Sequence, residues 1–175
     1  MKKVLGIGNA LVDVLVQVES ELILNELQLP KGSMQLINTE RYLKIQKRLE
    51  SLNKQLTTGG SACNTILAIA NLGGQPGLIG KVGHDEMATF FADNCVRHDI
   101  KANLLHAEQL PTGVASTFIT PDGQRTFGTH LGAAATLTAD DIKAEWFEGY
   151  DYFYIEGYLV QNHALIRRAV DLAHR

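Results

Sequence analysis

Two short stretches hold side chains whose types and spacing suit the handling of a small polar molecule. The first is "GIGNALVDV" (6–14), in which Asp13 stands among valines. A carboxylate in that setting needs partners, because burying an unpaired charge is costly. Nearby backbone amides can supply them, and so can the hydroxyls of a ligand. The second is "GGSACN" (59–64), which opens an apolar run. Glycine lets a ligand approach the main chain closely, the free N–H groups of a helix's first turn point outward, and the Asn64 amide both donates and accepts. Adjacent hydroxyls of a polyol need both kinds of partner. A plain tight turn capped by Ser61 explains the same residues, and the stretch alone does not separate the two readings.

Other candidate motifs have simpler explanations. "GIGNAL" lacks the third glycine and the following helix that a dinucleotide fingerprint requires, so a nicotinamide oxidoreductase is the weakest functional alternative. In "GKVGHDE" (80–86) the adjacent His84, Asp85 and Glu86 point apart, which disfavours a metal site. Asp85 as a helix cap and Glu86 beside the positive end of the helix dipole account for both acids. No G-x-S-x-G and no Walker-type phosphate loop occurs.

The elements that must position these residues alternate between strand and helix. Residues 3–8 predict a buried strand. Val12, Val14, Val16 and Val18 mark one face of a second strand, with Asp13, Leu15 and Gln17 on the other. "ESELILNEL" predicts a short helix or turn, "SMQLI" (33–37) a short strand, and Thr39 the cap of a polar helix reaching about Asn53. Residues 62–72 are apolar nearly all round and predict a buried helix from Ser61, closed by a left-handed Gly73. A strand at 77–82 precedes a helix capped by Asp85, with Met87, Phe90, Phe91 and Cys95 on one face. Residues 113–120 and 125–131 flank "PDGQ" and predict a hairpin. "TADD" (138–141) is a capping pattern, "YDYFYIEGYL" a core strand, and "HALIRRAVDLAHR" an amphipathic helix. Such alternation predicts an α/β core with a parallel sheet, with the extra strands near 12–18, 33–37 and 113–131 as a small second layer.

The 175 residues carry a net charge of −3, with 45% hydrophobic and 20% charged residues, an ordinary globular composition. Neither sign forms a run, which argues against a nucleic-acid surface. No stretch reaches the roughly 18 apolar residues of a membrane span, and Asp13 interrupts the N-terminal apolar segment, so a targeting peptide is rejected. Cys63 and Cys95 have no metal-type spacing and read as buried thiols in a reducing, cytoplasmic compartment.

Taken together and in order, "GNALVDV", "GGSACNTILAIANLGG", "GLIGKVGHDEMATFF", "PTGVASTFITPDGQRTF" and "YFYIEGYL" resemble the PfkB (ribokinase-like) family of sugar and nucleoside kinases. The G-N-x-x-x-D spacing at the start is similar to that of adenosine kinases. The resemblance implies a three-layer αβα core with a small β-sheet lid over the sugar. It implies that Asp13 binds sugar hydroxyls, that Gly59 and Gly60 form the sugar-side loop and that Asn64 binds a hydroxyl. Asn9 and Leu11 would line the same pocket, Arg125 and Phe127 would lie on the lid, and Glu156 near the pocket floor. It further implies phosphoryl transfer from ATP, with Mg2+, to a hydroxyl of a sugar or nucleoside, and possible dimerisation through the lid. The family's G-A-G-D base motif and its N-x-x-E motif are absent from these residues. The chain, which stops on an uncapped helix, is therefore expected to be the N-terminal portion of one ribokinase-like domain (1–175), supplying acceptor site and lid and inactive alone. A non-catalytic sugar- or nucleoside-binding module is the alternative.

Overall fold

The computed structural model describes residues 2–175. Its chain builds two sheets from nine strands. The core sheet has the order β6(Lys101–His106), β5(Gln75–Val82), β1(Lys3–Ile7), β9(Tyr152–Ile155), all parallel. Its central strands are near-continuous apolar and glycine runs, as expected where a parallel sheet is covered on both faces. Helices α3(Ser61–Asn71) and α4(Glu86–Arg97) cover one face, where Ile66, Phe91 and Cys95 pack with Leu78 and Val82. Helix α5(His163–Ala173) covers the other, packing Leu165, Ala169 and Leu172 with Leu5, Ile7 and Ile79. This is the expected three-layer αβα core.

The second sheet runs β3(Met34–Leu36), β8(Arg125–His130), β7(Gly113–Ile119), β2(Leu11–Gln17), β4(Gln55–Gly59). Gly8, Asn9 and Ala10 carry the chain from β1 in the core directly into β2 of this lid, with no helix between, which removes the structural basis of the dinucleotide reading. Val14 and Val16 of β2 face outward onto α1(Leu22–Glu26) and α2(Thr39–Leu49), where they join Ile23, Leu24, Ile45, Leu49 and Phe118 in a buried cluster, while Val12 packs with Ile66 and Phe91 of the core domain. The alternate residues of β2 therefore face the core domain.

Several boundaries differ from the sequence expectations. Asn38, not Thr39, caps α2, accepting from the Arg41 amide at 3.0 Å, and the helix ends at Leu49 rather than Asn53. Gly60, not Ser61, is the cap residue of α3; the Ser61 hydroxyl is committed elsewhere. Helix α3 is not buried all round: Ala62, Cys63 and Ile66 are, but Asn64 and Leu72 are exposed. Gly73 does adopt the left-handed conformation, with φ 82°. The Thr138–Asp141 turn forms, the Asp141 carboxylate accepting from the Thr138 amide at 2.9 Å, but only short 3-10 turns follow it. The core strand expected over 150–159 is four residues long and lies at a sheet edge, because Glu156 turns the chain into a 3-10 segment at Gly157–Gln161. Helix α5 closes at Ala173, where the His174 amide bonds back to the Val170 carbonyl at 3.1 Å. Strands β4 and β6 had no counterpart in the sequence reading.

Candidate functional site

A cleft of about 960 Å³ lies between the lid sheet and the turns and helix starts at the edge of the core domain. The lid contributes Leu11, Asp13, Met34, Leu36, Ala115, Phe127 and Thr129, all from the inward-facing set of its strands. The core contributes Asn9, Gly60, Ser61, Asn64 and Glu156, and the far wall is formed by residues 131–137 and 158–164.

Asp13 sits in the middle of β2, paired with Thr57 on one side and Ala115 on the other. No hydrogen bond from the described residues reaches its carboxylate. Burial pushes its carboxyl up to about 6, against the lowering charge of Arg125. Gly59 is required beside it, since a Cβ there would fall on the Asp13 carboxylate. Gly60 has φ 92°, and its Cβ would meet the Asn9 carbonyl oxygen. Only glycine fits this turn without strain, and from it α3 starts with Asn64 lining the same cleft as Asp13.

Glu156 is 1% exposed. One carboxylate oxygen accepts from the Asn9 amide at 2.9 Å and from the Asn9 side chain. The other accepts from the Ala62 amide at 3.1 Å and the Ser61 hydroxyl at 3.0 Å. Such satisfaction is what a buried charge needs. Glu156 thus borders the cleft, but it is spent on joining the β1–β2 turn to the start of α3.

The structure therefore brings Asn9, Leu11, Asp13, Gly60, Asn64, Phe127 and Glu156 to one cleft, with Gly59 packed beneath Asp13. Arg125 lies apart from the lining, exposed at the outer end of β8, and reaches the site only through its charge. The residues that the sequence did not single out include Met34, Leu36, Ala115 and Thr129. Strand register carries the missing signal: Ala115 lies beside Asp13, and Met34 beside Phe127. Tyr158, Leu159 and Asn162 reach the cleft from the turn after β9, which no local pattern marks.

The chain belongs to the pfkB family of carbohydrate kinases, whose profile matches residues 33–174. It is similar to the aminoimidazole riboside kinase of Salmonella typhimurium, at 34% identity over 102 residues, which is 55% of this chain and 30% of that protein. Among solved structures it resembles a probable sugar kinase from Rhizobium etli, with a TM-score of 0.86 and 30% identity over 99% of this chain and 53% of that one. It equally resembles the adenosine kinase of Sinorhizobium meliloti, with a TM-score of 0.85 and 32% identity over 99% of this chain and 53% of the other. The chain thus spans about half the length of these solved relatives.

Kinases of this family imply ATP and Mg2+. The cleft lining includes two carboxylates and no lysine or arginine, so it does not fit a triphosphate. Among the described residues no three His, Cys, Asp or Glu side chains converge as metal ligands. No step of the chemistry is therefore assigned to nucleotide or metal on these residues. No helix among them is long and apolar enough to cross a membrane.

Proposed function

We propose that this chain forms the acceptor half of an ATP-dependent sugar or nucleoside kinase acting in the cytoplasm. The observation that carries this reading is the Asp13 carboxylate, partly buried, facing the cleft and unpartnered among the described residues. Ionised carboxylates only accept hydrogen bonds, and two neighbouring hydroxyls of a sugar supply the donors Asp13 lacks. Asn64 offers a further donor and acceptor nearby. A neutral polyol suits a cleft with no basic lining, whereas a phosphorylated acceptor does not.

The apolar inner wall of the lid supports a finer reading. Met34, Leu36, Phe127 and Leu131 line the cleft with apolar surface, and Met34 and Leu36 are 44% and 62% exposed. An acceptor carrying a planar heterocycle on its sugar would cover them. Relatives named for an aminoimidazole riboside and for adenosine point the same way. Asp13 and Asn64 would orient the sugar, and the lid would exclude water. The G-A-G-D motif that resemblance assigns to the base is not in these residues, so they bind the acceptor and do not turn it over alone.

Phosphorylation assays of the full-length kinase across ribose, fructose, adenosine and aminoimidazole riboside test the reading. Ribosides with a heterocycle are expected to give the highest kcat/KM. Binding without phosphate transfer to any of the panel would replace the kinase by the non-catalytic module.

A further inference from the structure

Asp85 does more than cap α4. One of its oxygens accepts from the Ala88 amide at 2.9 Å, the capping bond, and from the Thr112 hydroxyl at 2.6 Å. The other accepts from the Thr112 backbone amide at 2.7 Å. Thr112 is fully buried, and its hydroxyl also accepts from the Gly83 amide at 3.0 Å. Burial works to raise the Asp85 carboxyl, yet these donors hold it below its ordinary value.

Thr112 is the last residue before β7, the strand by which the chain re-enters the lid. The next residue, Gly113, pairs with Leu11, and Ala115 pairs with Asp13. The returning chain is tied to the same point, since the Ala133 amide donates to the Pro111 carbonyl at 2.8 Å. The carboxylate at the start of a core helix thus holds the root of the lid strand that lies alongside Asp13.

Building on the acceptor-site reading above, we propose that Asp85 is a positioning residue for the acceptor: through Thr112 it sets the height of β7 over the core, and so the place of Asp13 in the cleft. It touches no substrate. Its role is separable from capping, because a serine at position 85 still caps a helix but cannot also reach Thr112.

The test compares Asp85→Ser, Thr112→Val and Thr112→Ser in the full-length protein. Amide hydrogen exchange in peptides covering β2, β7 and α4 is read first. Asp85→Ser and Thr112→Val should speed exchange in β7 and β2 while leaving α4 protected, and Thr112→Ser should match the parent protein. The acceptor KM should rise about tenfold in the first two variants, the scale of one or two lost charge-assisted hydrogen bonds, with kcat and the KM for ATP little changed. Equal deprotection of α4 and the lid, or unchanged exchange in β7, would overturn the proposal and leave Asp85 a simple cap. So would an unchanged acceptor KM alongside a general loss of stability. If the parent protein phosphorylates no sugar or nucleoside, the kinase reading falls, and lid exchange alone decides whether Asp85 anchors β7.

Discussion

Asp13 is where binding and stability pull in opposite directions. Its carboxyl titrates near 6 in the folded chain, above the ordinary 3.8, because burial penalises the charge. Between roughly pH 4 and pH 6 the folded state holds a proton that the unfolded state has released, so stability falls as pH rises through that window and levels off above it. Asp13→Asn should therefore be more stable than the parent by about 2 kcal/mol near neutral pH and equal to it near pH 4. Urea midpoints at the two pH values measure this, and equal midpoints at neutral pH would refute it. The same substitution should raise the acceptor KM about a hundredfold, since it puts a donor where two hydroxyl donors must be received. In the parent protein the acceptor KM should climb below about pH 6, as Asp13 takes up its proton. Gly60→Ala combines a positive φ with a Cβ driven into the Asn9 carbonyl. A cost of about 1–3 kcal/mol is expected there, and circular dichroism melts would read it.

At the scale of elements, Glu156 holds one corner of the cleft together. It joins the β1–β2 turn, the first turn of α3 and the end of β9 through buried hydrogen bonds. Glu156→Ala leaves the Asn9 and Ala62 amides without partners and should cost about 3 kcal/mol or more; Glu156→Gln turns one acceptor into a donor facing donors and should cost about 1–3 kcal/mol. Urea unfolding with unchanged m-values would measure both, and a Glu156→Gln protein as stable as the parent would remove the clamp from the account. Legibility in the sequence follows the same division between local and long-range interactions. Asp85 capping α4, the hairpin around "PDGQ" and the valine face of β2 are local, and each forms where the sequence places it. Strand β4 was not legible because "QLTTG" has little apolar alternation; pairing with β2 makes it a strand. Strand β6 likewise owes its existence to β5. Asp13, Gly60 and Asn64 were legible as candidates because their chemistry is local. The apolar wall of Met34, Leu36 and Ala115 was not, since which face a lid residue presents is set by register across distant strands.

For the whole molecule, the cleft is a seam between the core domain, packed around Ile66 and Phe91 on one face of its sheet and Ile79 and Leu165 on the other, and the lid, packed around Phe118 and Ile45, with Val12 and Met87 bridging the two. The chain passes between them at Asn9–Ala10, at Gly59–Gly60, near Thr112 and at Leu131, and the cleft proposed to hold the acceptor lies along that seam. A ligand held by Asp13 on the lid and Asn64 on the core binds only when both are folded and apposed. Mass action then adds to the stability of the assembled pair: at a hundred times Kd the gain is about 2.7 kcal/mol, which raises Tm. Scanning calorimetry of the full-length protein with and without a riboside acceptor should show one transition moving upward. Asp13→Ala should abolish the shift while leaving the transition itself intact. If the ligand instead split the transition, with only the core or only the lid stabilised, its contacts would lie on one side of the seam, and Asp13 and Asn64 would not share it.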